Sequence, residues 1–228
     1  MRTTCLERFG HEPCPSHRVT SIIRTQAHEE DIKAVSATLL LLSLEDSPVG
    51  DFSKAFQLQG ADVLYFSAGA GGKGGEERTK SVDYQGALKV FDAIEAVETA
   101  RLRLILVSAI DVRDPEKMPA HYTEEDIAMS KRVHGAIAAY MKWKYEADKK
   151  LVKRTAFKGL NNESGTGKAS IGHTHLSPTI SRDDVATALA ALLDREDAVG
   201  LAIDMVGGEP PIAEGLDAVI KKGETDFP

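Results

Sequence analysis

The chain is predicted to fold as an α/β protein with a doubly wound parallel sheet, and three observations carry that prediction. Short apolar runs of strand length recur along the 228 residues, amphipathic helical segments lie between them, and no repeat or low-complexity tract breaks the alternation. Runs that are apolar throughout suit strands covered on both faces. Such alternation implies a three-layer α/β/α arrangement of Rossmann type, in which ligands meet the carboxyl ends of the strands.

The elements follow in order. "HRVTSIIR" at residues 17–24 is β-branched and reads as the first strand, and "TLLLLSL" at 38–44 as the next. "ADVLYFSA" (61–68), "RLILVSAI" (103–110) and "GLAIDMVGG" (200–208) supply three more. Between them, "SVDYQGALKVFDAIEAV" (81–97) places Ala87, Val90, Phe91, Ile94 and Val97 on one helical stripe. Thr123 with Asp126, and Ser181 with Asp184, have the spacing of capping boxes. The first opens a long helix expected to run to about Arg154, the second opens "RDDVATALAALLDRE".

A chain of this length suits one domain over 1–228, with 1–16 as an atypical N-terminal segment. A formal net charge of −7 argues against nucleic acid and against an anionic membrane as partners, since both reward a basic surface. Lys142, Lys144, Lys149, Lys150, Lys153 and Arg154 crowd one helix, which reads as a solvated face. Two cysteines, Cys5 and Cys14, exclude a disulfide scaffold and fit a reducing compartment. No signal-peptide core precedes them, and the longest apolar run is too short to cross a bilayer, so a soluble, cytoplasmic protein is expected.

"GAGGKG" at 69–74 matches the G-x-G-x-x-G spacing of a dinucleotide cradle. As a P-loop it fails, because Ser67 stands where the first glycine belongs and Gly74 where Ser or Thr would bind magnesium. As a pyrophosphate cradle it lacks the helix that should open directly behind it, since convincing periodicity begins near Ser81. No acidic residue ends a following strand either, and Asp92 falls within a helix. The expectation is a flexible loop beside a nucleotide.

The second informative segment is "VHGAIAAYMKWKYEADKKL" (133–151), where Val133, Ile137, Tyr140, Ala147 and Leu151 form an apolar stripe that includes Lys144. An inward lysine is costly unless its stem lies on apolar surface or its ammonium finds a partner. Tyr140 is four residues earlier on the same face, giving Y-x-x-x-K. In hydride-transfer chemistry such a tyrosine protonates a substrate carbonyl while the cation favours phenolate. The other reading has Tyr140 as core filler and Lys144 snorkelling. Ser108, ending a strand, adds a hydroxyl able to bond the same carbonyl oxygen.

Together, "DVLYFSAGAGGKGGEERTKSVDYQGALKVFDAI", "RLILVSAID", "YMKWKYEADKKL" and "SRDDVATALAALLD" resemble the atypical short-chain dehydrogenase/reductases, in their NAD(P)-binding, NmrA-like branch. The resemblance covers residues 17–222 and implies a Rossmann fold, an NAD(P)-dependent oxidoreductase acting on a small carbonyl compound, and NADP(H) in preference to NAD(H). It implies Ser108, Tyr140 and Lys144 as catalytic residues. For the cofactor it implies Arg24, Ala68, Gly69, Ala70 and Val107 besides Tyr140 and Lys144, with Arg24 favouring the 2′-phosphate. The 67–75 loop then corresponds to the one after the fourth strand of the family, which passes along the cofactor without being its pyrophosphate cradle. A small-molecule substrate and a homo-oligomer are the expected partners.

Two departures from the family pattern make the expected sheet incomplete. "MRTTCLERFGHEPCPS" stands where the family has its first strand and glycine-rich cradle, and "KRTAFKGLNNESG" where it has a later strand and Pro-Gly turn. The sequence is therefore expected to be a shortened or alternatively spliced version of a family member. A non-enzymatic NAD(P)-binding regulator and an inactive truncated relative are the alternatives to an enzyme. His173 and His175 form H-x-H with no cysteine nearby, so polar loop residues are expected rather than a metal site. "GTGK" (165–168) has no strand before it and reads as a turn.

Overall fold

The computed structural model describes residues 17–97, 102–154, 159–160, 168–223 and 225. Strands β1 (Thr20–Ile23), β2 (Thr38–Leu41), β3 (Val63–Phe66) and β4 (Arg103–Leu106) fall within the first four apolar runs. β1 pairs with β2, and β3 with β4, both in parallel. Helix α1 (Glu29–Ala34) makes the crossover from β1 to β2, and α2 (Val49–Gln59) links β2 to β3. α2 buries Phe52 and Phe56, one turn apart, and stops where Gly60 takes a left-handed φ of 57° and its amide reaches back to Gln57 and Phe56.

The segment after β3 corrects the sequence reading. Helix begins at Gly75, directly behind the glycine loop, as α3 (Gly75–Thr79), continues through a π-helical turn (Lys80–Gln85), and proceeds as α4 (Gly86–Glu95). Apolar periodicity misses the start because "GEER" carries no apolar side chain and its first three residues are exposed. The expected stripe is present from Ala87 onward, with Ala87, Val90, Phe91, Ile94 and Val97 all buried.

The long helix expected after Thr123 is two helices, α5 (Glu124–Ala136) and α6 (Ala138–Val152), parted at Ile137, whose φ/ψ of −127°/41° leaves the helical region. Ile137 is exposed, so the buried face of α6 is Met141, Lys144, Ala147 and Asp148 rather than the stripe that included Val133 and Ile137. The Thr123–Asp126 capping box forms, with Asp126 N donating to Thr123 Oγ1 and Thr123 N to Asp126 Oδ2. Ser181 makes no such side-chain cap for α7 (Arg182–Leu192).

β4 sets the layers. Its alternation sends Leu104 and Leu106 into a core with Phe52, Phe56, Phe66 and Phe91, and Ile105 into a second core with Leu189, Leu192 and Leu216. Each of these buried side chains contributes roughly 1.5–3 kcal/mol by leaving water. The second core is closed by α7 and by α8 (Ile212–Lys222), which buries Ile212, Leu216, Val219 and Ile220 on one face.

Within the segment expected to have lost the later strand, a strand is present: β5 (Gly159–Leu160) pairs in parallel with β4, and residues 155–158 and 161–167 lie outside the described residues. The expected loss of the first strand and its glycine-rich cradle falls on residues 1–16, which lie outside the described residues. Among the described residues the sheet is in three pieces, β1–β2, β3–β4–β5, and an antiparallel pair of β6 (Lys168–Ile171) with β7 (Met205–Pro211). The fifth apolar run was expected to be parallel; it enters β7 antiparallel. Gly208 permits this contact, since a Cβ there would lie 2.4 Å from Ser170 N. No helix among the described residues is long and apolar enough to cross a membrane.

Candidate functional site

The carboxyl ends of β3 and β4, the π-helical turn and α6 converge on a buried polar network. The π turn adds a residue to the helix and turns Asp83 inward, where it is 1% exposed. Asp83 Oδ2 accepts the amide of Ala70 at 2.9 Å, which fixes the glycine loop to the helix behind it. Gly69 lies so close that a Cβ would stand 2.9 Å from Asp83 Oδ1. At Gly71 and Gly72, both with positive φ, nothing lies within 4 Å of the Cβ position, so the loop presents open backbone. Ala68 packs against the first core and Ala70 is buried.

The acidic first turn of α3, Glu76 and Glu77, disfavours an anion at that helix end. With the Ala70 amide already taken, a loop running beside a nucleotide fits better than a pyrophosphate cradle, even though the helix does follow at once.

Lys144 reaches into this network from α6. Its Nζ stands 3.6 Å from Asp83 Oδ1 and 3.4 Å from the carbonyl oxygen of Val107. The contact with Asp83 is ionic rather than a hydrogen bond, and Asp83 Oδ1 has no hydrogen-bond partner among the described residues. The half-buried Tyr140 ring is centred 5.8 Å from the same ammonium. Ser108, also buried, donates from Oγ to Asp148 Oδ2 at 2.6 Å. Burial pushes the Asp148 carboxyl up to about 6, against the opposing effects of the Ser108 bond and the Lys144 charge.

Ser108, Lys144 and Val107 are thus brought together, with Tyr140 on the same helix and Gly69 and Ala70 joined through Asp83. Arg24 stands apart at the end of β1, exposed, donating to Glu45 Oε2 at 2.8 Å. Glu45 also holds Arg78, whose Nε is 3.4 Å from Oε1, while Arg78 Nη1 donates to the Ala70 and Lys73 carbonyls. Two guanidinium groups therefore share one carboxylate where β1 and β2 end.

Sequence reasoning missed Asp83 and Asp148, although both were legible: Asp83 extends the Ala87 stripe one turn back, and Asp148 continues the four-residue spacing of Tyr140 and Lys144. The basic crowding on α6 is not uniformly solvated, since Lys144 is buried and Arg154 pairs with Asp92 and Glu95.

A cavity of about 520 Å³ opens beside the network. Ser108 and Asp148 line it from one side, the loop after β4 and residues 173–180 and 202–206 from the others. Arg113 braces that loop, donating to Asp111 Oδ1 at 2.6 Å and to Ser130 Oγ at 2.6 Å, and Tyr122 adds a bond to Asp111 Oδ1. His173 stacks on His121 at 5.3 Å, and His175 Nδ1 lies 2.7 Å from Asp126 Oδ2. No group of three His, Cys, Asp or Glu able to hold a metal occurs among the described residues. Of "GTGK", Lys168 starts β6 and residues 165–167 lie outside the described residues.

Asp126 ties this wall to α5. Burial alone would raise its carboxyl, but bonds from the Leu176 amide, the Thr123 hydroxyl and amide, and His175 together hold it well below the usual carboxylate range. A lowered folded-state pKa stabilises above the unfolded value near 3.8 and loses that contribution as pH falls through the folded one. Asp126→Ala is expected to cost about 1–2 kcal/mol at neutral pH through the lost cap, with the gap to the parent narrowing in acid. Urea melts of both chains at the two pH values check this.

The sequence profile of the NAD(P)H-binding family matches residues 12–196. A UPF0659 protein of Schizosaccharomyces pombe is 37% identical over 221 residues, covering 92% of this chain and 88% of that protein. YhfK of Bacillus subtilis, described as an uncharacterized sugar epimerase, is 34% identical over 209 residues, covering 89% and 88%. Among solved structures, a provisionally described NAD-dependent epimerase/dehydratase of Bacillus halodurans is similar with a TM-score of 0.69 at 25% identity, over 94% of this chain and 91% of that one. The oxidoreductase YlbE of Lactococcus lactis shares the fold with a TM-score of 0.72 at 21% identity, over 96% and 91%.

Proposed function

We propose, from the premise that the chain belongs to the NAD(P)H-binding family, that it is an NAD(P)H-dependent oxidoreductase acting on a small carbonyl compound. The observation that carries the proposal is Lys144, a buried lysine on the helix of Tyr140, bonded to the carbonyl of the residue before Ser108. The open backbone at Gly71 and Gly72 and the side-chain-free approach at Gly69 fit a nucleotide lying along the loop. Gly69, Ala70, Val107 and Lys144 would hold the nicotinamide half, and bound NAD(P)H supplies the hydride.

The residues of the chain do the rest. Tyr140 gives its proton to the carbonyl oxygen, and Lys144 favours the phenolate left behind. Asp83 keeps the ammonium in place, and Ser108 supplies a second hydroxyl to the same oxygen. The Bacillus subtilis relative is described as a sugar epimerase, which favours a hydroxyl-bearing substrate. NADPH oxidation by the chain over a panel of small aldehydes and ketones tests the reading. Turnover of at least one is expected; cofactor binding with no turnover of any would favour a regulator.

NADP(H) is the preferred cofactor in this proposal. Arg24 and Arg78 share Glu45 in a way that suits a phosphate monoester, a better partner for two guanidinium groups than a single carboxylate. Arg24→Ala is expected to weaken NADPH binding roughly 10- to 100-fold, as loss of a charge-assisted hydrogen bond does, and to leave NADH within a factor of about two. Titrations of both cofactors, read by the fluorescence of the single tryptophan, Trp143, check the ratio. Equal losses would remove Arg24 from cofactor selection.

A further inference from the structure

We infer that Asp148 is a positioning residue that sets whether the Ser108 hydroxyl offers the cavity a proton or a lone pair. The inference rests on the reading of Ser108 as a hydroxyl that meets the substrate oxygen. Both residues line the same cavity of about 520 Å³, both are buried, and they share one short hydrogen bond of 2.6 Å. Asp148 Oδ1 has no hydrogen-bond partner among the described residues, so Ser108 is its one side-chain donor there.

A serine hydroxyl has one proton. While Asp148 is a carboxylate it can only accept, so the Ser108 proton is committed to it and the Ser108 oxygen offers lone pairs. That arrangement suits a ligand hydroxyl. Once Asp148 is protonated it becomes the donor, the bond reverses, and the Ser108 proton is free for a carbonyl oxygen. Burial places this change near neutral pH, with the carboxyl pushed up to about 6. Asp148 gives no proton to the substrate: in the reduction the hydride goes to carbon, the oxygen takes its proton from Tyr140, and Ser108 only donates a hydrogen bond.

The charges around Asp148 are few. Lys144 lies one turn earlier on its own helix, and Asp83 of the π turn is paired with Lys144. The other titratable groups lining the cavity are Asp111, Arg113, Lys117, His121, Tyr122, His173 and Asp204. Asp111 and Arg113 are already paired with each other.

The test is the pH profile of NADPH-dependent carbonyl reduction from about pH 5 to about pH 8, for the chain, Asp148→Asn and Asp148→Glu. The parent rate is expected to fall about 100-fold across that range as the carboxyl ionises. Asp148→Asn, which cannot ionise, is expected to lose this limb, and Asp148→Glu to restore it. The same limb in Asp148→Asn would overturn the inference. If no carbonyl compound is turned over, the oxidoreductase reading fails, and carbon-13 NMR of the Asp148 carboxyl decides the dyad separately in the intact chain. Titration near about 6, moving upward in Ser108→Ala, supports it. An ordinary carboxylate titration, or one indifferent to Ser108, overturns it.

Discussion

Replacing Lys144 by methionine is expected to cost the fold about 3–5 kcal/mol, because it removes one partner of a buried ion pair and leaves the other behind. Asp83 has no exposed side-chain surface, and its Oδ1 has Lys144 as its one close cation among the described residues. For a chain of this size each kcal/mol lowers the melting temperature by about 2–4 °C, so the loss is visible in a simple thermal scan. The cost belongs to the unpaired carboxylate rather than to the missing lysine. Adding Asp83→Asn to Lys144→Met is therefore expected to recover most of it, as double-mutant logic requires for directly coupled groups. Additive losses would mean that Lys144 and Asp83 stabilise the chain independently. Asp83→Asn also keeps an acceptor for the Ala70 amide, so the glycine loop stays anchored in the double variant.

Tyr140→Phe is expected to reduce carbonyl turnover by roughly 100- to 10,000-fold, the range over which a positioned general acid contributes. The half-buried ring of Tyr140 remains in the variant, so stability and cofactor affinity are expected to hold. Loss of kcat with an unchanged Kd for NADPH assigns the hydroxyl to the chemical step. Unchanged turnover removes Tyr140 from the mechanism and leaves the aromatic ring as packing beside the Lys144 ammonium.

Much of the fold was legible because local rules and tertiary packing agree there. β1 lies in a β-branched run and β2 to β4 in largely apolar ones, and β4, buried on both faces, is the clearest of them. The capping box at Thr123 was equally legible, since Thr123 and Asp126, three positions apart, suffice to define it. Elements governed by other forces were harder to read. α3 begins on Gly75 with a polar first turn, so hydrophobic periodicity carries no trace of its start. The break at Ile137 comes two residues after Gly135, a weak helix former, and the exposed Ile137 side chain gives periodicity nothing to register. The orientation of β7 depends on where β6 lies and on the close approach at Gly208, which is information from another part of the chain.

The same division holds at the site. Tyr140, Lys144 and Ser108 were found from spacing and strand position, and Lys144, Val107 and Ser108 do come together. Asp83 and Asp148 escaped because a carboxylate on a buried stripe is easily read as an interruption of it. Their partners, the Ala70 amide and the Ser108 hydroxyl, lie 13 and 40 residues away in sequence. Burial of a charged group is decided by such partners, and periodicity along one helix does not register them.

The central claim is that this chain binds NAD(P)H along the Gly69–Ala70 loop and beside Lys144, and a thermal melt with and without NADPH tests it most directly. Ligand at about 100 times its Kd adds roughly 2.7 kcal/mol to the folded state, so a cooperative transition shifted upward by about 5–10 °C is expected. A transition that neither NADPH nor NADH moves would contradict the claim.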